Sequence, residues 1–326
     1  MQSEWIYKLY NRFLSFGERD EGSWSKWKVQ EEIFNQVFRK MCFQLSEIAA
    51  IDEYCLPFTG KSPFIIFNGR KPSGKFFHDH KSLSDSKERF CLKYMLYHKN
   101  KTLQAGDPKR GPVDDCVTLM NELSAGTTLA TDNLFGHEKT FNRATELGIN
   151  YVSTIRFNRT ICPEELRLCK KKLLPEINGL THYLDPDHRI CLNYRQKTKD
   201  NGFIIGTNFV GPSANLKTQY RNSKGRSKTE EIYNTTYFGQ DKFDHVVTRH
   251  PMHGIKTNKW TIHEFRNGLD MLLINAITIC RLGVKDPTYK KDWSDPGELM
   301  MAVVSRFKEY YSAFKNFGTA PKFVHF

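Results

Sequence analysis

Residues 48–55, IAAIDEYC, carry the question on which the reading of this chain turns. Ile48 to Ile51 is a short apolar run of strand character that leads straight into the adjacent carboxylates of Asp52 and Glu53. An unpaired charge that loses its water carries a large free-energy penalty. A strand ending in such a pair needs something positive beside it.

The flanks define what surrounds that strand. From Lys28 to Glu47 the residues Val29, Ile33, Phe34, Val37, Phe38, Met41 and Leu45 recur at helical spacing with one apolar stripe. Downstream, Phe64 to Phe67 and Phe90 to Tyr97 read as extended, separated by a polar loop from His78 to Lys87. Pro112 to Ser124 reads as a helix opened by proline and closed by Gly126. Asp114 and Asp115 lie in its first turn, where the helix dipole favours negative charge. Then TTLAT, residues 127–131, forms a β-branched strand that stops at Asp132. A helix over HEKTFNRATEL ends at Gly148, and YVSTIR, Tyr151 to Arg156, is a further strand. Strand, helix, strand at this separation is the parallel α/β unit, whose chemistry gathers beyond the strands' carboxyl ends.

Residues 157–230 break that rhythm and read as an insertion. It holds a basic helix near Pro163 to Leu174, strands near Arg189 to Tyr194 and Phe203 to Val210, and a polar loop. Two long helices follow, Glu230 to Arg249 and Trp260 to Leu282, then an amphipathic segment from Glu298 to Phe317. The expected organisation is a helical segment over 1–47, a core over 48–156, the insertion over 157–230, closing helices over 231–283 and a C-terminal helical segment over 284–326.

Composition narrows the partners. Lys and Arg total 49 against 36 Asp and Glu, a formal charge of +13, and so basic a surface attracts nucleic acid or an anionic membrane face. The longest apolar run, Met271 to Cys280, is interrupted by Asn275 and too short to span a bilayer, and the first residues lack an apolar targeting core. The eight cysteines form no Cys-x-x-Cys pair, which argues against a zinc ribbon and a disulfide framework and fits a reducing compartment. We therefore expect a soluble intracellular protein with no membrane partner. There is no Gly-x-Ser-x-Gly elbow, phosphate-binding Gly-x-x-x-x-Gly-Lys loop or Gly-x-Gly-x-x-Gly turn to support other enzyme classes.

Three acids occupy instructive places: Asp52 on the first strand, Asp132 at a strand tip and Asp241 in the helix after the insertion. Two strand acids and a helix acid meeting at one sheet edge is how an RNase H-like nuclease holds two divalent cations. Such ions sit about 3.5–4 Å apart and serve the two sides of an in-line phosphodiester displacement. Hard oxygen donors suit Mg²⁺ or Mn²⁺. A metal ion is then the positive partner of Asp52, and Glu53 is left as a local salt-bridge partner.

Three blocks carry a resemblance. They are IDEYCLPFTGKSPF (51–64) with RKPSGK (70–75), TDNLFGHEKTFNRATELGINYVSTIRFNR (131–159), and EIYNTTYFGQDKFDHVVTRHPMHGIKTNKWTIHEFRNGLDMLLINA (231–276). In this order and spacing the span 48–281 resembles the catalytic core of the piggyBac transposase family. The resemblance implies an α/β fold, an RNase H-like mixed sheet flanked by helices with an inserted β-containing subdomain. It implies catalytic Asp52, Asp132 and Asp241, with Asp244 as a further metal ligand one helical turn on. The implied activity is metal-dependent cleavage of a DNA strand at a transposon end, attack by the freed 3′-hydroxyl to form a hairpin, and rejoining at a TTAA target. DNA is the implied partner, a homodimer or association with a fuller-length relative the implied assembly, and the nucleus the implied location. Lys61, Lys71, Arg156, Arg159, Lys256 and Lys259 are the candidate DNA-backbone contacts.

Departures from the family pattern also register. Phe238 and Gln240 stand where it has glycine and valine, and the usual N-terminal region and Cys-rich zinc-binding tail are expected to be missing. A domesticated or truncated derivative that binds DNA without cutting it is the competing expectation. Lys170 to Lys172 read as a solvated helix side or a nuclear address, and Trp260 as core. His78-Asp79-His80 and His250-x-x-His253 read as surface.

Overall fold

In the computed structural model β1 does not end at the acidic pair: it runs Ile48–Pro57, straight through Asp52 and Glu53. The structure describes residues 23–41, 46–71, 74–97, 111–169, 180–185, 190–196, 202–210, 227–249 and 257–283. On one side β1 pairs antiparallel with β3 (Phe76–Asp85) along its length, from Ala49 opposite Asp85 to Pro57 opposite Phe77. On the other side it pairs in parallel with β5 (Thr128–Thr131) only from Ile48 to Ile51. Asp52 is thus the first residue of β1 to outrun its parallel neighbour.

The remaining strands extend the sheet in both directions. β2 (Ile66–Phe67) and β4 (Phe90–Leu96) pair with opposite ends of β3. β6 (Asn150–Ile155) lies parallel to β5. Beyond it come the insertion's strands β9 (Gly202–Thr207), β8 (Ile190–Gln196) and β7 (Leu180–Asp185), all antiparallel. The order β4-β3-β1-β5-β6, antiparallel then parallel, is the expected RNase H-like mixed sheet, with the insertion continuing its β6 edge. β7 went unread in the sequence, and β2 is shorter than the extended stretch expected over Phe64 to Phe67.

Strand alternation sorts the core into two layers. Ile51, Leu83, Leu129 and Tyr151 face α2 (Pro112–Met120) and α3 (Glu138–Glu146), which contribute Cys116, Leu119, Met120 and Phe141. A short helix, α4 (Glu164–Cys169), adds Leu166 to this layer. On the other side, Tyr54, Leu56 and Leu96 meet α1 (Ser23–Met41), α5 (Lys228–Arg249) and α6 (Trp260–Gly283) through Trp27, Phe34, Phe38, Phe243, Val247, Met271 and Ile274. Gly148, at φ 67°, ends α3 in the left-handed region that glycine enters without steric cost. Trp260 is partly buried against Phe64 and His78, as a core residue should be. Among the described residues no helix is long and apolar enough to cross a membrane. Lys170 to Lys172, His250-x-x-His253 and the segment Glu298 to Phe317 lie outside the described residues.

Two expectations fail at β3. The segment expected to be a loop is a ten-residue strand buried from Phe77 onward, and His78-Asp79-His80 are interior, not surface. The reason is pairing on both faces. On the α6 side His78 Nδ1 bonds Glu264 Oε1 and His80 Nε2 meets Glu264 Oε2 at 2.9 Å, with Ser62 Oγ 2.8 Å from His78 Nε2. On the α2 side Lys81 Nζ, fully buried, donates to Glu53 Oε1 and Asp79 Oδ2, each at 2.7 Å, and lies 4.9 Å from the Tyr97 ring. At the strand's end the Asp85 carboxylate accepts from the backbone N–H groups of Ser46, Lys87 and Glu88. The two histidines and Lys81 have partners brought from elsewhere in the fold, Glu264 and Glu53, and Asp79 is answered within the strand by Lys81.

Burial pushes Glu264 up, but His80 and His78 outweigh it and hold its carboxyl well below the ordinary 4.5. Burial pushes His80 down, and Glu264 outweighs that and raises it above 6.5. Stability from Glu264 is complete above pH 4.5 and erodes as pH falls towards its lowered folded value. Stability from His80 is complete below pH 6.5 and is lost as pH rises through its raised folded value. Glu264→Gln is expected to cost about 3–5 kcal/mol by stranding the imidazoles. The gap in melting temperature between wild type and variant should be widest between pH 4.5 and 6.5; a gap independent of pH would refute the ion pairing.

Candidate active site

The last parallel pair between β1 and β5 sets Ile51 opposite Thr131. One residue further along both strands come Asp52 and Asp132, side by side on neighbours spaced about 4.8 Å apart. Alternation puts them on the face of Ala50 and Ala130, the one covered by α5. Glu53 goes to the opposite face, where Lys81 takes it as the salt-bridge partner expected of it.

Local chemistry fixes each carboxylate. Asp132 closes β5 and begins a turn: its Oδ1 accepts from Leu134 N at 2.7 Å, and its carbonyl accepts from Phe135 N at 3.2 Å and Ser153 Oγ at 3.0 Å. This is an Asx-type turn, the reason aspartate suits a strand end. The turn lies so close to β6 that a Cβ on Gly136 would meet the Thr154 carbonyl oxygen at 2.3 Å, so only glycine fits. Asp52 Oδ1 accepts from Glu53 N at 2.7 Å, and its Oδ2 accepts from the Tyr237 hydroxyl of α5 at 2.5 Å. Tyr237 in turn stacks on Tyr233, one helical turn earlier, with ring centroids 5.2 Å apart.

The electrostatics disfavour two bare negative charges here. Burial pushes Asp52 up to about 7; the Tyr237 and Glu53 N–H bonds oppose the rise, and the charges of Asp132 and Glu53 add to it. Burial likewise raises Asp132, with Leu134 N, Arg156 and Lys81 opposing and Glu53 adding. A cation relieves this conflict, and carboxylate oxygens are hard donors of the kind Mg²⁺ and Mn²⁺ take. No described residue donates to Asp132 Oδ2, which leaves that oxygen available as a ligand. The donor set therefore fits a divalent ion. Among the described residues no cluster of three His, Cys, Asp or Glu forms a metal site; these two carboxylates are what the described side chains provide.

The helix α5 crosses β1, β5 and β6 and carries the other two predicted acids. Asp241 lies one turn beyond Tyr237 and Asp244 another three residues on; their side chains lie outside those described. Tyr237 itself was missed by sequence reasoning. Its signal was there: a side chain four residues before Asp241 shares that residue's side of the helix.

The predicted basic residues separate in kind. Arg156, exposed just beyond β6, donates from Nε to Asn133 Oδ1 at 2.7 Å and sits at the rim beside Asp132. Arg159 donates from Nη2 to the Leu134 carbonyl at 2.9 Å, bracing the same turn. Lys71 is engaged with Cys55 Sγ at 2.6 Å and lies 4.4 Å from the Phe77 ring. Lys61 is exposed after β1, and Lys259 is exposed just before α6. Lys256 lies outside the described residues.

Comparison with known proteins agrees with this geometry. Residues 16–277 match the family model described as Transposase IS4. No curated protein matches the sequence. Among solved structures the fold is similar to a piggyBac transposase in a synaptic complex with hairpin DNA, at a TM-score of 0.69 and 18% identity. That similarity covers 84% of this chain and 56% of the other, so the chain spans little more than half the length of that transposase. The family match over most of the chain leads to one conclusion, with which the strand order and the aspartates paired just past the β1–β5 ladder agree: this protein belongs to the Transposase IS4 family, with a fold similar to that of a piggyBac transposase.

Proposed function

We propose that the chain catalyses DNA strand cleavage and strand transfer at transposon ends, with a TTAA target. The observation that carries this reading is the placement of Asp52 and Asp132 on adjacent parallel strands beneath α5. Asp52 and Asp132 are the residues that would hold divalent metal, with Asp241, and Asp244 beside it, supplied by α5. Two Mg²⁺ or Mn²⁺ ions, when bound, supply activation of water or a 3′-hydroxyl and charge stabilisation at the leaving oxygen.

The chain's own residues do the rest. Tyr237 fixes the Asp52 carboxylate so that Oδ1 and Oδ2 hold one orientation. Arg156 offers a guanidinium at the rim of the site for a backbone phosphate close to Asp132. Arg159 keeps the Asp132 turn in place from behind. Lys61, Lys256 and Lys259 add backbone contacts, each phosphate neutralised steepening the salt dependence of binding. Association as a homodimer or with a fuller-length relative, and action in the nucleus, belong to the same proposal.

Asp132→Asn is expected to abolish nicking of duplex DNA in Mg²⁺ or Mn²⁺ while leaving DNA affinity equal or higher, read by gel and by fluorescence anisotropy. Equal cleavage by the variant would remove Asp132 from the chemistry. Wild type that binds but cuts at no metal concentration would favour a DNA-binding derivative.

Stability offers a test that needs no turnover. Asp52 sits well above its ordinary 3.8 in the folded chain, so its contribution is complete below that value and is lost as pH rises to about 7. Without divalent ions Asp52→Asn is expected to be more stable than wild type by about 2–4 kcal/mol at pH 8, and Mg²⁺ should raise the melting temperature of wild type alone. A destabilised variant would contradict the charge conflict.

Tyr237→Phe removes a bond that favours the ionised Asp52. Mn²⁺ affinity at neutral pH, measured by titration calorimetry, is expected to fall about tenfold and to recover at higher pH. An affinity that does not change would free Tyr237 of any part in the site.

A further inference from the structure

The described residues expose two large aromatic side chains next to each other: Phe67 is 61% and Phe76 48% solvent-accessible. They face each other across the two-residue pairing of β2 with β3, their ring centroids 4.9 Å apart. The hairpin is held by Asn68 N to the Lys75 carbonyl at 2.9 Å, and its base by Phe58 N to the Phe76 carbonyl at 3.0 Å. Exposed aromatic rings lose free energy to water, and a cross-strand pair needs only one sheltered face to steady a hairpin. The outward faces have no use in the fold.

Charge around the pair is one-sided. From Tyr54 to His78 the chain has Lys61, Arg70, Lys71 and Lys75 and not one Asp or Glu. Arg70 and Lys75, within or next to the hairpin, are exposed. Aromatic faces carried on a segment with cations and no carboxylate match the needs of unpaired nucleic acid, in which bases stack on rings and phosphates seek Lys and Arg. A protein partner needs a far larger apolar area than two rings provide.

Position ties the pair to the carboxylates. Phe76 shares its side of β3 with His78, His80 and Ser82, and Ser82 lies opposite Asp52. Phe77 pairs with Pro57, five residues along β1 from Asp52, roughly 17 Å away along the strand. We propose that Phe67 and Phe76, with Arg70 and Lys75, form a stacking platform for unpaired bases of a DNA strand whose phosphodiester lies at Asp52 and Asp132. The inference rests on DNA as the substrate.

The test uses the full chain and two fluorescein-labelled probes, a blunt duplex and the same duplex with a single-stranded tail, read by anisotropy at several salt concentrations. Wild type is expected to bind the tailed probe about tenfold tighter. Phe67→Leu/Phe76→Leu, which keeps apolar bulk but no ring, should lose that preference and keep duplex affinity. Phe67→Trp/Phe76→Trp should retain it, with unchanged melting temperatures showing that both variants fold. Arg70→Gln/Lys75→Gln should weaken binding and flatten its salt dependence. A Leu variant with undiminished preference, or wild type indifferent to the tail, overturns the platform and leaves duplex binding standing. Altered self-association of the Leu variant at unchanged DNA affinity also overturns it, by making the pair a protein contact. Failure of wild type to bind either probe overturns the DNA reading itself.

Discussion

Parallel register between β1 and β5 forces two carboxylates into one place, and much of the fold serves to make that tolerable. Asp52 and Asp132 follow directly from Ile51 and Thr131, so neither can leave without breaking the strand pairing. Burial raises both above the ordinary 3.8, and the charge of Asp132 adds to the rise at Asp52. The protein offsets part of this with backbone N–H groups at Glu53 and Leu134 and with the Tyr237 hydroxyl. What is left over is a standing demand for positive charge, the physical root of a site for divalent ions.

Strand β3 handles charge in the opposite way, by pairing it internally. Lys81 is completely enclosed between Glu53 and Asp79, and Glu264 is enclosed between two histidines. Deep ion pairs of this sort contribute little net stability compared with apolar packing, but losing one partner is severe. They specify which strand lies beside which. A polar β3 can occupy only the position where Glu53 and Glu264 wait on its two sides.

How much of this was legible in the chain follows from how far each residue's partner lies. The unit from β5 to β6 was readable because alternation, an Asx turn and Gly148 are local signals. Asp52 and Asp132 could be named from their motifs, and the sheet brings them together. Polar β3 was not readable: the residue that hydrogen-bonds His78 is 186 positions away, and nothing in HDHKSLSD announces it. Charge was also visible without its commitments. Lys71 and Arg159 look like any other candidate contacts, yet one is engaged with Cys55 and Phe77 and the other braces the Leu134 carbonyl. Tyr237 escaped notice because the carboxylate it holds lies 185 positions away, and only its place one turn before Asp241 hinted at it.

The passage of β1 through two consecutive acids also makes the count of residues in that strand a matter of odd and even. Side chains alternate between faces, so Asp52 reaches Tyr237 only because Glu53 reaches Lys81. A single residue gained or lost between Ile48 and Ile51 would exchange the two, presenting glutamate to the α5 side and aspartate to the enclosed lysine. Within β1 evolution may substitute, but it can insert or delete only in pairs.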